Sequence, residues 1–165
     1  MKELDRAKVE TIISKFPNLD DLLENEISKT TLGYKSIAVG TFDHWLSYEE
    51  GDKYLYMFDD QDDAMLVNRA RTISSFPDIY LYDIDEETDS DILYKYDNKD
   101  ELYHYVLEAL RKQHILDFIS YKPNMIISIT PDLTDMYYTT DSDVCDLIIE
   151  RAHEFNAKVF VSERE

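Results

Sequence analysis

The chain has 165 residues, of which 44% are apolar, and 17 Lys and Arg against 36 Asp and Glu give it a formal charge of −19. That length and apolar fraction suit a single globular domain over residues 1–165, able to bury about 70% of its surface, and they exclude intrinsic disorder. The charge excludes direct binding to nucleic acid or an anionic membrane, since both would be repelled. Apolar runs stop well short of the ~18 residues that a membrane span requires. The charged start Met1-Lys2-Glu3-Leu4-Asp5-Arg6 is unlike a secretory signal, and the lone Cys145 permits no internal disulfide, so a cytoplasmic location is expected.

Along the chain, Leu4, Ala7 and Ile12 follow helical spacing until Phe16-Pro17. Asn18 is suited to cap a second helix with Leu19, Leu22, Leu23 and Ile27 as its stripe, giving an N-terminal helical pair. Residues 36–42 and 54–58 read as strands, with Glu50-Gly51 in a hairpin connection between them. Asp60 opens a helix with Leu66, Ala70 and Ile73 on one face, and residues 79–82 and 92–96 are the next strands. A helix is expected from Asn98 to Ser120. Asn98 and Glu101 have capping-box spacing, and Leu102, Val106, Ala109, Leu110 and Leu116 form its stripe, from which Ile115 and Phe118 depart. Residues 125–129 form a buried strand, and Asp141 or Ser142 caps a last helix carrying Val144, Leu147, Ile148 and Phe155. Asn156 suits the left-handed position after it, before a closing strand at 159–161. This alternation predicts an α/β or α+β fold, a mixed β-sheet of five or six strands with helices packed on it.

The acids are bunched. No base interrupts Arg71 to Lys95, where Asp78, Asp83, Asp85, Glu86, Glu87, Asp89 and Asp91 fall. None interrupts Lys122 to Arg151, which holds Asp132, Asp135, Asp141, Asp143, Asp146 and Glu150. A third bunch contains Glu49, Glu50, Asp52, Asp59, Asp60, Asp62 and Asp63, opposed by Lys53 alone. Duplex DNA carries one charge per ~1.7 Å, so such a charge equals roughly 32 Å of duplex, close to the ~40 Å width of a compact chain of this size. Its surface, on the order of 8,500 Å², is several-fold larger than that stretch of duplex. Imitation of DNA therefore requires the acids to cluster in space.

Tyrosines recur two apart, as Tyr54/Tyr56, Tyr80/Tyr82 and Tyr94/Tyr96. On neighbouring strands these pairs would line one sheet face, either half-buried or as an aromatic recognition surface, with Trp45 as a further anchor or a core residue.

Catalytic signatures are sparse. Gly33, Gly40 and Gly51 form no phosphate loop, and His44, His104, His114 and His153 lack zinc-ligand spacing. Asp83, Asp85, Glu87 and Asp89 alternate as in a calcium loop, but Thr88 stands at the sixth position and Tyr94 at the twelfth. Asp83-Ile84-Asp85 is similar to the paired aspartates of haloacid-dehalogenase phosphatases, with Glu87 where Thr or Val is usual. Cys145 falls inside an amphipathic helix and is expected to be buried, and no nucleophilic triad can be assembled. The segment Tyr137-Tyr138-Thr139-Thr140-Asp141-Ser142-Asp143, followed by Ala152, Asn156 and Val159, resembles the last motif of PIN/NYN-type metal-dependent nucleases, with Thr140 in place of Gly. The resemblance implies Mg²⁺ or Mn²⁺ on Asp141 and Asp143, with Asp83 as a distant third carboxylate, and RNA hydrolysis. Helix capping explains the same residues.

The leading expectation is an acidic binding or inhibitor protein without a cofactor. It would occupy the basic nucleic-acid-binding site of another protein, as phage anti-restriction and anti-CRISPR proteins do. Its contact residues would be Asp59, Asp60, Asp62, Asp63, Asp83, Asp85, Glu86, Glu87, Asp89 and Asp91, with Tyr80, Tyr82 and Trp45. The alternatives are an immunity or antitoxin protein neutralising a cognate toxin, and the metal-dependent nuclease. A homodimer is compatible with each.

Overall fold

Alternating apolar residues give one β-sheet two hydrophobic faces, and the helices divide between them. The computed structural model describes residues 1–23, 32–54, 60–130 and 133–163. In chain order these form β1 (Lys2–Glu3), α1 (Arg6–Ile13), α2 (Leu19–Leu23), β2 (Lys35–Gly40), α3 (Tyr48–Tyr54), α4 (Asp60–Ser74), β3 (Ile79–Asp85) and β4 (Ser90–Lys95). There follow α5 (Lys99–Arg111), β5 (Leu116–Ser120), β6 (Met125–Ile129), β7 (Thr134–Thr139), α6 (Ser142–Glu154) and β8 (Lys158–Glu163). The fold is α+β. The eight strands lie in the order β1-β4-β3-β5-β6-β7-β2-β8, and every neighbouring pair is antiparallel, so the expected mixed sheet is corrected to an antiparallel one. Among the described residues no helix is long and apolar enough to cross a membrane.

On the first face Leu66, Ala70 and Ile73 of α4, Leu102, Val106 and Leu110 of α5, and Val144, Cys145 and Ile148 of α6 pack on Ile37, Leu81, Phe118, Ile127 and Tyr137. On the second, Val9 and Ile12 of α1 and Leu19 and Leu22 of α2 cover Tyr80, Tyr82, Leu93, Ile119, Ile126 and Tyr138. Tyr34 joins this layer, donating its hydroxyl to the Pro17 carbonyl at 2.8 Å, and burial pushes its pKa up to about 12. Gly40 ends β2 without a side chain because an added Cβ would come within 2.8 Å of the Phe160 ring.

Local chemistry sets the helix boundaries. The Asn98 side chain accepts from the Glu101 amide at 2.9 Å, while the Glu101 carboxylate accepts from the Asp97 amide, one residue before the usual capping-box partner. Asp141 caps α6, accepting from the Asp143 amide at 2.8 Å, and Asn156 takes a φ of 57° after it.

Three expectations are corrected. The helix from Asn98 to Ser120 stops at Arg111, and Leu116–Ser120 is a strand between β3 and β6. The departures of Ile115 and Phe118 from the stripe marked that change of period. The hairpin around Glu50-Gly51 does not form, because that segment lies within helix α3 and both edges of β2 are taken by β7 and β8. Tyr54 ends the helix, and the remainder of the expected strand, 55–58, lies outside the described residues, as does Ile27. The tyrosine pairs do not share a face: in the β3–β4 register Tyr82 faces Leu93 and Leu81 faces Tyr94, so Tyr80 and Tyr82 point to the second core and Tyr94 and Tyr96 to the first.

Candidate functional site

The β3–β4 connection carries a cluster of exposed acids. Asp89 has a φ of 53° and its amide donates to the Asp85 carbonyl at 2.7 Å, closing a tight turn. The Asp85 carboxylate accepts from the Glu87 amide at 3.0 Å, and that hydrogen bond leads the contacts that hold its pKa below the usual range. Asp85 therefore shapes the turn, while Asp83, Glu86, Glu87 and Asp89 stand exposed around it. Asp91 accepts from the Tyr82 hydroxyl at 2.8 Å and lines a cavity with Asp20 and Asp21 of α2, two acids that the run of the sequence does not associate with it.

Strand register decides which acidic bunches meet. The row Tyr82–Asp117–Ser128–Met136–Ala38 crosses five strands, so the β3–β4 turn lies at the same end of the sheet as Gly40 and the segment after it, about 20 Å across by strand spacing. The third bunch joins that end through α5: Arg111 donates to both oxygens of Asp63 at 2.9 Å, and the Gln113 side chain donates to the Tyr54 carbonyl at 3.2 Å. Asp60 is exposed, Asp62 and Asp63 are half-buried, and Asp59 lies outside the described residues. The bunch between Lys122 and Arg151 is divided, with Asp141, Asp143, Asp146 and Glu150 exposed on α6 and at its cap and the rest elsewhere. Asp135 is fully buried, Asp132 is outside the described residues, and Asp141 and Asp143 lie beyond Thr139 at the other end of β7.

Aromatic residues take unexpected places. Tyr80 and Tyr82 are 3% and 8% exposed, beneath the α1–α2 layer, which removes them from any contact surface. Trp45 is 44% exposed, packed edge-on against Phe160 with ring centres 5.0 Å apart, and Tyr48 beside it is 91% exposed. In the segment leading into α3, His44 bridges Asp43 and Glu50 at 2.8 Å each. Those hydrogen bonds, Asp43's first, raise the His44 pKa above its ordinary value.

Sequence reasoning missed a buried charge network. Arg69 of α4 is 1% exposed and donates through Nε and Nη2 to the two oxygens of Asp135 on β7, at 3.0 and 2.6 Å. Its Nη1 donates to the Thr41 hydroxyl at 2.9 Å. Two residues along β7, the Tyr137 hydroxyl is buried without a hydrogen-bond partner among the described residues, and desolvation, with Asp135 adding to it, pushes its pKa far up. The available signal was Arg69 itself, standing three residues from Leu66 on an otherwise apolar stripe.

No group of three or more metal-ligating side chains occurs among the described residues. By strand rise and spacing, Asp83 is about 20 Å from Asp141, at the opposite end of the sheet, so it cannot be the third carboxylate of a metal centre there. Asp141 is occupied as a helix cap. Cys145 is buried in the first core. Comparison with protein-family models, with curated proteins and with solved structures gives no match.

Proposed function

We propose that the chain is an acidic binding protein that inserts the end of its sheet carrying the β3–β4 turn into a basic, nucleic-acid-binding face of another protein. The reading rests on one observation: Asp83, Glu86, Glu87 and Asp89 are exposed on and around the β3–β4 turn, with no Lys or Arg in the sequence between Arg71 and Lys95. Exposed carboxylates can replace phosphates opposite Arg and Lys through charge-assisted hydrogen bonds. Exposed Trp45 and Tyr48, after β2 at the same end, supply the apolar contact that charge pairing alone lacks. An inhibitory role against a nucleic-acid enzyme follows from occupation of that face.

The test is capture of partners at low and high salt by the native chain and by a variant with Asp83, Glu86, Glu87 and Asp89 all changed to Lys. Recovery of a DNA- or RNA-binding protein that is displaced by competing nucleic acid, released by salt and lost in the variant is the expected result. A partner retained by the variant removes the β3–β4 turn from the interface. A small dedicated toxin in place of a nucleic-acid enzyme would shift the reading to an immunity protein.

A further inference from the structure

The chain has 36 acids and 17 bases, yet a cavity at the C-terminal end of α4 is lined by three cations. It measures about 490 Å³, and Arg71, Lys99 and Arg151 line it with a single carboxylate, Asp100. Arg71 stands in the last turn of α4 and Arg151 in the last turn of α6, while Lys99 opens α5. Three helix ends thus converge on one space. None of the three cations enters an ion pair among the described residues. Lys99 Nζ donates to the Ser75 carbonyl at 3.1 Å, which fixes the ammonium beside the end of α4. The Arg151 guanidinium lies over the Phe76 ring, 5.8 Å from its centre.

Cations near helix C-termini offset the exposed carbonyls there, and that accounts for Arg71 and Arg151 taken singly. It does not account for their meeting with Lys99 around a cavity within the ~300–1,000 Å³ range of small-molecule sites. The remaining lining is Ser74 and Ser75 at the end of α4, which offer hydroxyls beside the cations, and the half-buried rings of Tyr103 and Phe155. We infer that this cavity binds a small phosphate monoester with a planar body, the phosphate held by Arg71, Lys99 and Arg151 and the planar group against Tyr103 and Phe155. A dianion matches the cationic excess, and guanidinium groups pair with phosphate oxygens in a fixed fork. A nucleic-acid polymer is disfavoured, because its further charges would meet the surrounding acidic surface. The cavity is at the C-terminal end of α4, about 20 Å by helical rise from the acids at its start, so the inference stands apart from the proposed partner surface.

Titration of the full-length chain with AMP, inorganic phosphate and adenosine, followed by amide chemical shifts and calorimetry, tests it. AMP is expected to saturate with shifts at Lys99 and Tyr103, inorganic phosphate to bind more weakly, and adenosine not to bind. Arg71→Glu and Lys99→Glu, both at exposed positions on separate helices, should each weaken AMP binding by about tenfold or more while the far-UV spectrum is unchanged. Absence of saturation at millimolar AMP, equal affinity for adenosine or for inorganic phosphate, or unaltered binding in both variants would overturn the assignment.

Discussion

At the β3–β4 turn Glu86, Glu87 and Asp89 are exposed and take part in no ion pair among the described residues, whereas under α4 the Arg69 guanidinium and the Asp135 carboxylate are sealed from solvent and bound to each other. The same chemical groups do opposite work in the two places. An exposed carboxylate interacts weakly with its own fold and strongly with an arriving cation. A buried one has lost its water, and its attraction to the partner does little more than offset that loss, so removing either partner leaves a stranded charge. The number of charges on this chain therefore says little about its stability, and the position of two of them says much.

The sharpest way to break this contrast is Asp135→Asn. It should destabilise the fold by about 3–5 kcal/mol in urea melts by stranding Arg69. Replacing both partners, Arg69→Met with Asp135→Leu, should recover most of that loss; a double variant as unstable as the single one would mean that the ion pair itself, rather than the stranded charge, is decisive. A smaller effect is expected at the half-exposed pair of Arg111 and Asp63, where Arg111→Ala should lose about 0.2–1 kcal/mol and progressively less in high salt. Glu86→Lys with Glu87→Lys should leave the urea midpoint in place while sharply reducing salt-sensitive partner capture, and a fall in the midpoint would assign these two side chains a structural role.

The least effect belongs to His44. Its pKa in the folded chain lies above the unfolded value because Asp43 and Glu50 hold its protonated form. The resulting contribution is complete below the ordinary value of 6.5 and disappears as pH rises through the raised one. A ring-proton titration midpoint above 6.5 is expected, and a midpoint at or below it would dissolve the bridge.

Strong local chemistry was legible in the sequence. The Asn98 and Asp141 caps, the left-handed Asn156, the apolar stripe of α4, Val144 and Ile148 of α6 and the strands at residues 79–82 and 125–129 stand where the spacing puts them, whereas Phe155 lies past the end of α6 and outside its core. The boundary after Arg111 showed only in the departures of Ile115 and Phe118 from the stripe, because the helix ends through Gln113 at a φ of 55° with neither glycine nor asparagine to announce it. Helix α3 had a signature that the Glu50-Gly51 turn reading obscured: Ser47 and Glu50 form a reciprocal capping box, each side chain accepting from the other's amide at 3.2 Å. At the candidate site, acid runs could be counted along the chain, but strand order decided their fate. It brought the β3–β4 turn to the same end as the segment after Gly40, and it carried Asp135 into the core, where only Arg69's place on an apolar stripe hinted at a partner.

The Arg69–Asp135 contact joins residues 66 positions apart. Neither ion gains from leaving water until α4 has settled on the first face of the sheet and β7 has been paired between β6 and β2. The pair is thus expected to close late in folding and to break early in the climb to the unfolding barrier. Its influence would then appear mainly in how long a folded molecule persists: Asp135→Asn should raise the unfolding rate while the refolding rate stays nearly constant.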